Sequence, residues 1–241
     1  MFLKCSKLVF LVMIAPSFAT AQESPPTRFT ASVVVTPERA ESERRTVPAA
    51  GDVLGEREIQ LLPAISAAEL LAELPSFRTV FPVAAGLPPI VSSRGFFGGG
   101  EADYVQLRVD GVPVSDEETG LADWRAFSAA DIERVETLRG PASSLYGDTA
   151  MGGVVQLFTV RRTQPGGRVS LSGGEWDTAD LEASGGASTG GMVVNGSAGY
   201  LRSDGFRAHT GIRQTRARFT ADASAGGLWR GQVMVWSRDR R

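Results

Sequence analysis

"VETLRGPASSLYGDTAMGGVVQLFTV", residues 135–160, is the stretch that decides the fold. It begins like a strand, breaks at Gly140-Pro141, passes through a Ser-rich turn and the double glycine Gly152-Gly153, and ends in an apolar run. Five of its 26 residues are Gly or Pro, yet the stretch shows no catalytic motif. The pattern predicts two strands, residues 135–138 and 154–159, joined by a compact turn.

The residues before this stretch predict a small α+β domain. Residues 65–74 carry apolar side chains at helical spacing and stop before Pro75, which is typical of a short amphipathic helix. Residues 104–109 alternate and run into Asp110-Gly111, a hairpin turn signal. The remaining predicted elements are a strand at 90–95, a return strand at 112–114 and a short helix at 128–133 with Ser128 as its N-cap.

After Val160 the sequence changes to alternating strands separated by turns rich in Gly, Ser and Asp. In residues 216–223, for example, the two arginines alternate with alanine and phenylalanine. A transmembrane β-barrel has this pattern, and a soluble sandwich gives a similar one. About five strands are predicted, at 168–172, 180–184, 192–202, 212–223 and 228–238. Because a closed membrane barrel needs about eight, we expect either a truncated barrel or strands that do not enter a bilayer.

The first 21 residues predict a cleaved secretory signal peptide. Lys4 and Lys7 precede a short apolar run, and Ala19-Thr20-Ala21 is a small-residue cleavage site. The apolar run is too short for a membrane anchor, which needs about 20 residues. The mature chain would contain no cysteine, which excludes disulfides and thiol chemistry.

Charge divides the mature sequence at Val160. Residues 22–160 hold 11 Arg and 20 acidic residues, whereas residues 161–241 hold 12 Arg and 7 acidic residues. We therefore expect a domain boundary there. The arginines of the second part are interleaved with small residues on strands rather than clustered, and the chain is exported, so nucleic acid is not expected as a partner.

A valine-rich segment in the polar tail, residues 22–51, predicts an isolated strand. Its valines are ended by Pro37 and followed by a charged run. Two interpretations stay open. The strand joins the sheet of the following domain as an edge, or it pairs with a sheet edge on another protein.

Signals for chemistry are weak. His209 is the only histidine and lies in a predicted loop, so a His/Cys zinc site is excluded in the mature chain. Ser188 lies in a G-x-S-x-G match, but a nucleophile elbow needs a following helix, and a strand is predicted instead. The acidic loop with Asp116 and Glu117 lacks EF-hand spacing, and the Gly-rich loop at 94–100 lacks a phosphate-binding motif. We expect no catalytic residue, no metal site and no cofactor.

Several spaced motifs resemble the TonB-dependent receptors of the Gram-negative outer membrane. The opening stretch is similar to the signature of that family's plug domain, and residues 90–95 and 109–113 are similar to its central segment. The plug residues implied by this resemblance are Arg94, Gly95, Asp110, Gly111, Arg139, Gly140, Pro141, Tyr146, Gly147, Gly152 and Gly153. The tail segment Ser32, Val33, Val34, Val35 and Thr36 is similar to a TonB box.

The resemblance implies an α+β plug domain followed by antiparallel strands of an incomplete transmembrane β-barrel. The division would be a signal peptide at 1–21, a flexible tail with the TonB box at 22–51, a plug at 52–160 and first barrel strands at 161–241. Small-residue turns would then serve to fit a plug into the lumen of a barrel of about 22 strands. Arg94 and Arg139 would face acidic barrel residues.

The implied function is energy-coupled uptake of a scarce ligand, such as a siderophore, cobalamin, a metal chelate or a sugar, with TonB as the periplasmic partner. The protein would lie in the outer membrane and would not be an enzyme. Phe96, Phe97, Asp116 and Glu117 are the candidate ligand contacts at the plug apices. The alternative is a stand-alone periplasmic plug-like binding protein, and a secreted hydrolase using Ser188 is a third hypothesis.

Overall fold

The computed structural model describes residues 33–34, 42–43, 51–81, 88–96, 104–115, 120–208, 210–224 and 228–240. These residues fall in one compact unit, Ser32–Arg241. The predicted signal peptide lies outside the described residues. So do several residues singled out from the sequence, namely Ser32, Val35, Thr36, Phe97, Asp116, Glu117 and His209.

The elements follow one another from short strands and helices to long strands. The tail contains β1 (Val33–Val34) and β2 (Ser42–Glu43). The mixed region contains β3 (Val53–Gly55), α1 (Glu56–Leu61), α2 (Ala67–Ala72), β4 (Arg78–Val80), β5 (Ile90–Ser92), β6 (Val105–Val109), β7 (Val112–Pro113), β8 (Ile132–Arg139), α3 (Ser143–Tyr146) and β9 (Gly153–Thr159). The long strands are β10 (Gly166–Gly174), β11 (Thr178–Thr189), β12 (Met192–Ser203), β13 (Ile212–Ser224) and β14 (Leu228–Arg240).

A mixed five-stranded sheet, the plug sheet, organises the first region in the order β3-β8-β9-β6-β7. Only β6 and β9 run parallel, and the other neighbours are antiparallel. Alternate side chains of its central strands, such as Val135, Leu157 and Leu107, pack on α2 and on Trp124 to form the main core. This burial of apolar area is the main stabilising contribution to the region.

The opposite face of the plug sheet has a smaller core beneath the turn of the opening stretch. Leu138 and Val154 of the sheet pack with Ala142, Tyr146 and Ala150 from α3 and the 3-10 turn that follows it. The compact turn therefore covers the sheet instead of looping into solvent, and its small residues let it lie close to the strands.

Five antiparallel strands, β10 to β14 in chain order, form a second sheet, called the wall sheet. Its polar face is turned towards the plug sheet and is buried there, and Gln214, Arg216 and Arg218 are among its most buried residues. Its other face is apolar and exposed, with Leu171, Phe219 and others open on the surface. This arrangement is the reverse of a water-soluble sheet, which buries its apolar face.

Most elements predicted from the sequence are confirmed. The five long strands exist with longer bounds, and residues 216, 218, 220 and 222 share one face as the alternation predicted. The Asp110-Gly111 hairpin is formed by β6 and β7. The predicted α+β domain followed by antiparallel strands is therefore the observed fold class.

Other predictions about local structure were wrong. The predicted helix at 128–133 is one 3-10 turn, Ala129–Asp131, and Ser128 makes no capping hydrogen bond through its side chain. Strand β8 starts earlier than predicted, at Ile132, because its residues pair with β9. For the valine segment two interpretations were left open; its described residues, Val33 and Val34, pair with β2 in a two-stranded sheet separate from the plug sheet.

Helices α1 and α3 and strands β3 and β4 were not predicted. Each has six residues or fewer, too short to show a clear hydrophobic period. Within the described part of the chain, no helix is long and apolar enough to cross a membrane.

Candidate functional site: the plug signature and its contacts with the wall sheet

The Asp110-Gly111 turn ties the β6–β7 hairpin to the last strand of the plug sheet. Both residues have positive φ, 49° and 89°. The Asp110 carboxylate accepts hydrogen bonds from the Thr159 backbone N–H at 3.0 Å and from the Thr159 hydroxyl at 2.6 Å. Asp110 therefore closes the hairpin onto β9 at the point where the chain leaves the plug sheet.

Gly140 and Arg94 fit against each other. Gly140 has a φ of 98°, and a Cβ placed on it would lie 3.0 Å from Arg94 Nη1. Gly140 also donates its N–H to the Gly152 carbonyl at 3.1 Å. Arg94 itself has a φ of 52° and is followed by Gly95 with a φ of 82°. The positive φ favours a glycine at position 140, and the missing side chain also leaves space for the Arg94 guanidinium.

Arg139 forms an ion pair with a residue of the plug itself. Its Nη2 lies 3.7 Å from Asp52 Oδ1, at the start of the plug sheet. The acidic barrel residues that the resemblance places opposite Arg94 and Arg139 do not appear among the ion pairs of the described residues. That part of the implied role stays a prediction.

Tyr146 packs inside the turn of the opening stretch. Its ring is buried, and the guanidinium of Arg108 stacks over it at 5.0 Å. Its carbonyl accepts a hydrogen bond from Gln106 Nε2 at 2.9 Å. Pro141 directs the chain from β8 into α3, and Gly147 ends α3 with a φ of 96°. The tyrosine thus fastens the turn to β6.

Gly152 and Gly153 bring the chain back into the plug sheet. Gly153 is the first residue of β9 and has a φ of 154°. A Cβ on Gly153 would lie 2.5 Å from the Leu138 carbonyl oxygen, and one on Gly152 would lie 3.0 Å from Phe96 Cβ. The double glycine is therefore a requirement of strand packing.

We expect Gly153→Ala to lower the free energy of unfolding by about 2–3 kcal/mol, because it adds a strained φ and a clash with rigid backbone. The measurement is urea denaturation of the full chain. Gly111→Ala is the matched control, since Gly111 has positive φ but nothing within 4 Å of its Cβ position. Its cost should be about 1 kcal/mol, from the backbone strain alone. Equal losses in the two variants would contradict the packing explanation.

Of the candidate ligand contacts, only Phe96 lies among the described residues. Its ring is partly exposed and lies 6.1 Å from the Tyr104 ring, centroid to centroid. The assignment of these residues to ligand binding remains a prediction.

The plug sheet is joined to the wall sheet by a buried ion pair. Arg218 of β13 donates from Nε to Asp131 Oδ2 at 2.5 Å and from Nη2 to Asp131 Oδ1 at 2.6 Å. Ser197 of β12 donates its hydroxyl to Asp131 Oδ2 at 3.0 Å. Arg218 is 6% exposed and Asp131 8% exposed. Such a bidentate contact fixes both the distance and the relative orientation of the two side chains.

A second set of contacts holds the chain where it passes from β9 to the wall sheet. The Arg162 N–H donates to Asn195 Oδ1 at 2.7 Å, and Arg161 pairs with Asp222. Arg230 also pairs with Asp222, at 2.6 Å, and donates to the Asp110 carbonyl at 3.3 Å. The wall sheet therefore binds both the connecting segment and the Asp110 turn.

Within the wall sheet, Arg216 joins two strands by bonding Asp180 at 2.5 Å and Glu182 at 3.1 Å. A Cβ on Gly199 would lie 2.0 Å from Glu182 Oε2, so the glycine leaves room for this carboxylate. Sequence alternation predicted that these side chains share a face, but nothing in it paired Arg218 with Asp131, which lies 87 residues earlier.

Glu69 is the acidic group of α2 that lies against the main core. Burial raises the pKa of the Glu69 carboxyl. The hydrogen bond from the Ile65 N–H, at 2.7 Å, and the nearby Arg125 partly offset this rise. The carboxylate anchors the first turn of α2 through this hydrogen bond.

Neither a metal site nor a nucleophile elbow at Ser188 is found in the described part of the chain. No group of three or more His, Cys, Asp or Glu side chains there has the arrangement of a metal site. Ser188 lies near the end of β11 and pairs with Val193 of β12, in a hairpin. A nucleophile elbow would need a helix after the serine.

The geometry defines a small α+β domain whose turns are tightened by glycine and whose charged side chains bind the polar face of a strand wall. Residues 43–154 match the family model described as TonB-dependent Receptor Plug Domain. This part of the chain is therefore a plug domain of the TonB-dependent receptor type.

Solved receptors share the fold at low sequence identity. The chain is similar to the ferripyoverdine receptor of the outer membrane of Pseudomonas aeruginosa, with 18% identity and a TM-score of 0.69 over 87% of this chain and 27% of that one. The ferric enterobactin receptor PfeA of the same organism is 17% identical, with a TM-score of 0.64 over 80% of this chain and 33% of that one. The ferric yersiniabactin uptake receptor FyuA of Yersinia pestis is 22% identical, with a TM-score of 0.58 over 79% of this chain and 31% of that one.

The chain thus spans about a third or less of the length of these receptors. The matched family is one of receptors and transporters rather than of enzymes.

Proposed function

We propose that this chain is the plug and first barrel strands of an energy-coupled outer-membrane receptor, which takes up a scarce ligand with TonB. The observation that carries the proposal is the reversed wall sheet. Its polar face is buried against the plug by the Asp131–Arg218 pair, and its apolar face is exposed. A surface of this kind suits lipid, where an apolar exterior is stable.

The lengths of the strands support the same proposal. Strands β11 to β14 have 12 or 13 residues each, which is enough for a tilted strand to cross the apolar part of a bilayer. On the exposed face, apolar or small residues lie opposite one another: Leu181 lies between Leu171 and Tyr200, and Ala198 lies between Ala183 and Ala217. A stand-alone periplasmic protein would leave this face in water at a cost.

The ligand belongs to the proposal only as a class. The similar solved receptors are named for ferripyoverdine, ferric enterobactin and ferric yersiniabactin. By that likeness we propose a metal chelate of the siderophore kind ahead of cobalamin or a sugar. Phe96, Phe97, Asp116 and Glu117 are the proposed contacts.

The proposed TonB box, residues 32–36, includes a pair of residues that already form main-chain hydrogen bonds. Val33 and Val34 are extended and pair with Glu43 and Ser42. An extended segment that bonds through its main chain is the type that adds a strand to a partner's sheet. TonB would take up the segment in this way.

Deletion of residues 32–36 should abolish binding of the full chain to the purified C-terminal domain of TonB, measured by isothermal titration calorimetry. Val34→Pro should weaken binding at least tenfold, because proline removes an N–H that a sheet ladder uses. Ala40→Pro, in the same tail but outside the box, is the control and should bind normally. Unchanged affinity after the deletion would contradict the assignment of the box.

A further inference from the structure

Strand β3 is the first strand of the plug sheet in chain order, and it is short. Strand β3 lies at the edge of the plug sheet and forms three residue pairs with β8. Its N-terminal end is therefore where the chain enters the plug sheet when followed from residues 32–36. Along the covalent chain, a load applied to the tail enters the sheet at this end.

Asp52, the residue just before β3, is bound through all of its polar groups. Its N–H donates to the Thr137 hydroxyl at 2.9 Å, and its carbonyl accepts from the Thr137 N–H at 2.8 Å. Its carboxylate accepts from the Ser76 hydroxyl and pairs with Arg139 at 3.7 Å. One residue thus connects the tail to β8, to the loop before β4 and to the plug signature.

The backbone next to Asp52 lies directly on β8. A Cβ placed on Gly51 would be 2.0 Å from the Thr137 carbonyl oxygen and 3.2 Å from its carbonyl carbon. These are rigid backbone atoms, so the chain approaches so closely only because residue 51 is glycine. Residues 51 and 52 are therefore held on β8 by close backbone packing as well as by hydrogen bonds.

Arg139 depends on this attachment for its charge partner. Asp52 is the carboxylate paired with Arg139 among the described residues, and Arg139 Nε is buried there without a hydrogen-bond partner. Arg139 is followed directly by Gly140 and Pro141, the break that starts the signature turn. If Asp52 moves with the tail, Arg139 loses its carboxylate.

We infer that Asp52 is a positioning residue for the coupling step: it clamps the tail to the plug and, through Arg139, transmits displacement of the tail to the turn at Gly140. This inference rests on the proposed function, because it takes the tail as the segment on which TonB acts. The clamp itself stands on contacts within the plug. A pull that separates Asp52 from Thr137 also removes the ion pair, so a small movement of the tail changes the electrostatics of the signature turn.

Hydrogen–deuterium exchange of the full chain tests the inference. Asp52→Asn keeps an acceptor for Ser76 and both backbone bonds to Thr137 but removes the charge opposite Arg139. We expect exchange at the Gly140 amide, which bonds the Gly152 carbonyl, to rise about threefold to fivefold, the scale of a part-exposed ion pair. Glu56→Gln is the matched control, since it removes the exposed ion pair with Arg168 and should leave Gly140 unchanged.

A second variant separates transmission through Arg139 from general loosening. In an Arg139→Gln background, Asp52→Asn should add no further exchange at Gly140. A further rise in that background, or an unchanged Gly140 amide in Asp52→Asn alone, would overturn the inference. Asp52→Asn should still bind the TonB domain, because the box is intact. If the exchange results hold but deletion of residues 32–36 leaves TonB binding intact, the clamp stands and the proposed function fails.

Discussion

Arg218→Ala should lower the free energy of unfolding of this chain by about 3–5 kcal/mol, which is the cost of leaving a buried charge without its partner. The substitution leaves the Asp131 carboxylate buried between the plug and the wall sheet with only the Ser197 hydroxyl to bind it. The plug would then be held mainly by the contacts around Asn195 and Asp222. Urea denaturation followed by tryptophan fluorescence measures the loss, because Trp124 is fully buried in the main core.

The matched control is Arg168→Ala. Arg168 also connects the wall sheet to the plug, by an ion pair with Glu56 at 3.6 Å, but the two side chains are 38% and 47% exposed. An exposed pair of this kind contributes up to about 1 kcal/mol. The double variant Asp131→Ala with Arg218→Ala should be less destabilised than the sum of the two single variants. Additive losses, or a loss in Arg168→Ala as large as in Arg218→Ala, would show that the buried pair does not hold the plug.

Phe219→Arg should reduce the share of this chain recovered in the outer membrane, because a cationic side chain on the lipid face near the middle of a membrane barrel costs about 2–4 kcal/mol. Phe219 lies midway along β13 on the apolar face of the wall sheet and is 52% exposed. Its cross-strand neighbours on this face are Gly196 and Val233. If this face contacts lipid, arginine there loses its hydration. If it contacts water, arginine is tolerated.

Leu61→Arg is the control for the membrane prediction. Leu61 is 80% exposed on α1 of the plug, so the chemical change is similar but the wall sheet is not involved. Both variants are exported in a Gram-negative host, and their share in the outer-membrane fraction is compared with that of the unaltered chain. We expect a reduced share for Phe219→Arg alone. Equal recovery of the two variants would contradict lipid contact and favour the alternative of a stand-alone periplasmic protein.

Features set by local rules could be predicted from the residues alone. The Asp110-Gly111 turn, the strands on either side of it and the alternation of β13 follow from backbone preferences and from a period of two. Gly140, at the break seen in the opening stretch, and Gly147 both adopt positive φ, which glycine permits at little steric cost. The ordered motifs of the opening stretch were sufficient for the resemblance to a plug domain, which the family match confirms.

The ion pairs of the candidate site join residues that are far apart in the sequence. Asp131 was predicted only as part of a short helix, and it is the buried ion-pair partner of Arg218. Arg139 was expected to face the barrel, and in this structure it pairs with Asp52 of the same domain. Local patterns assign a residue to a face of its strand, but they carry no information on which residue lies opposite.

The amino-acid order therefore specified the longer elements and the polar and apolar faces of the wall sheet. The pairing of buried charges came from the three-dimensional arrangement, because it depends on which segments, distant in the sequence, are packed against each other. The same reason explains Gly51 and Gly199, whose lack of a side chain is needed because of the Thr137 carbonyl and the Glu182 carboxylate respectively. Neither neighbour is close to its glycine in the sequence.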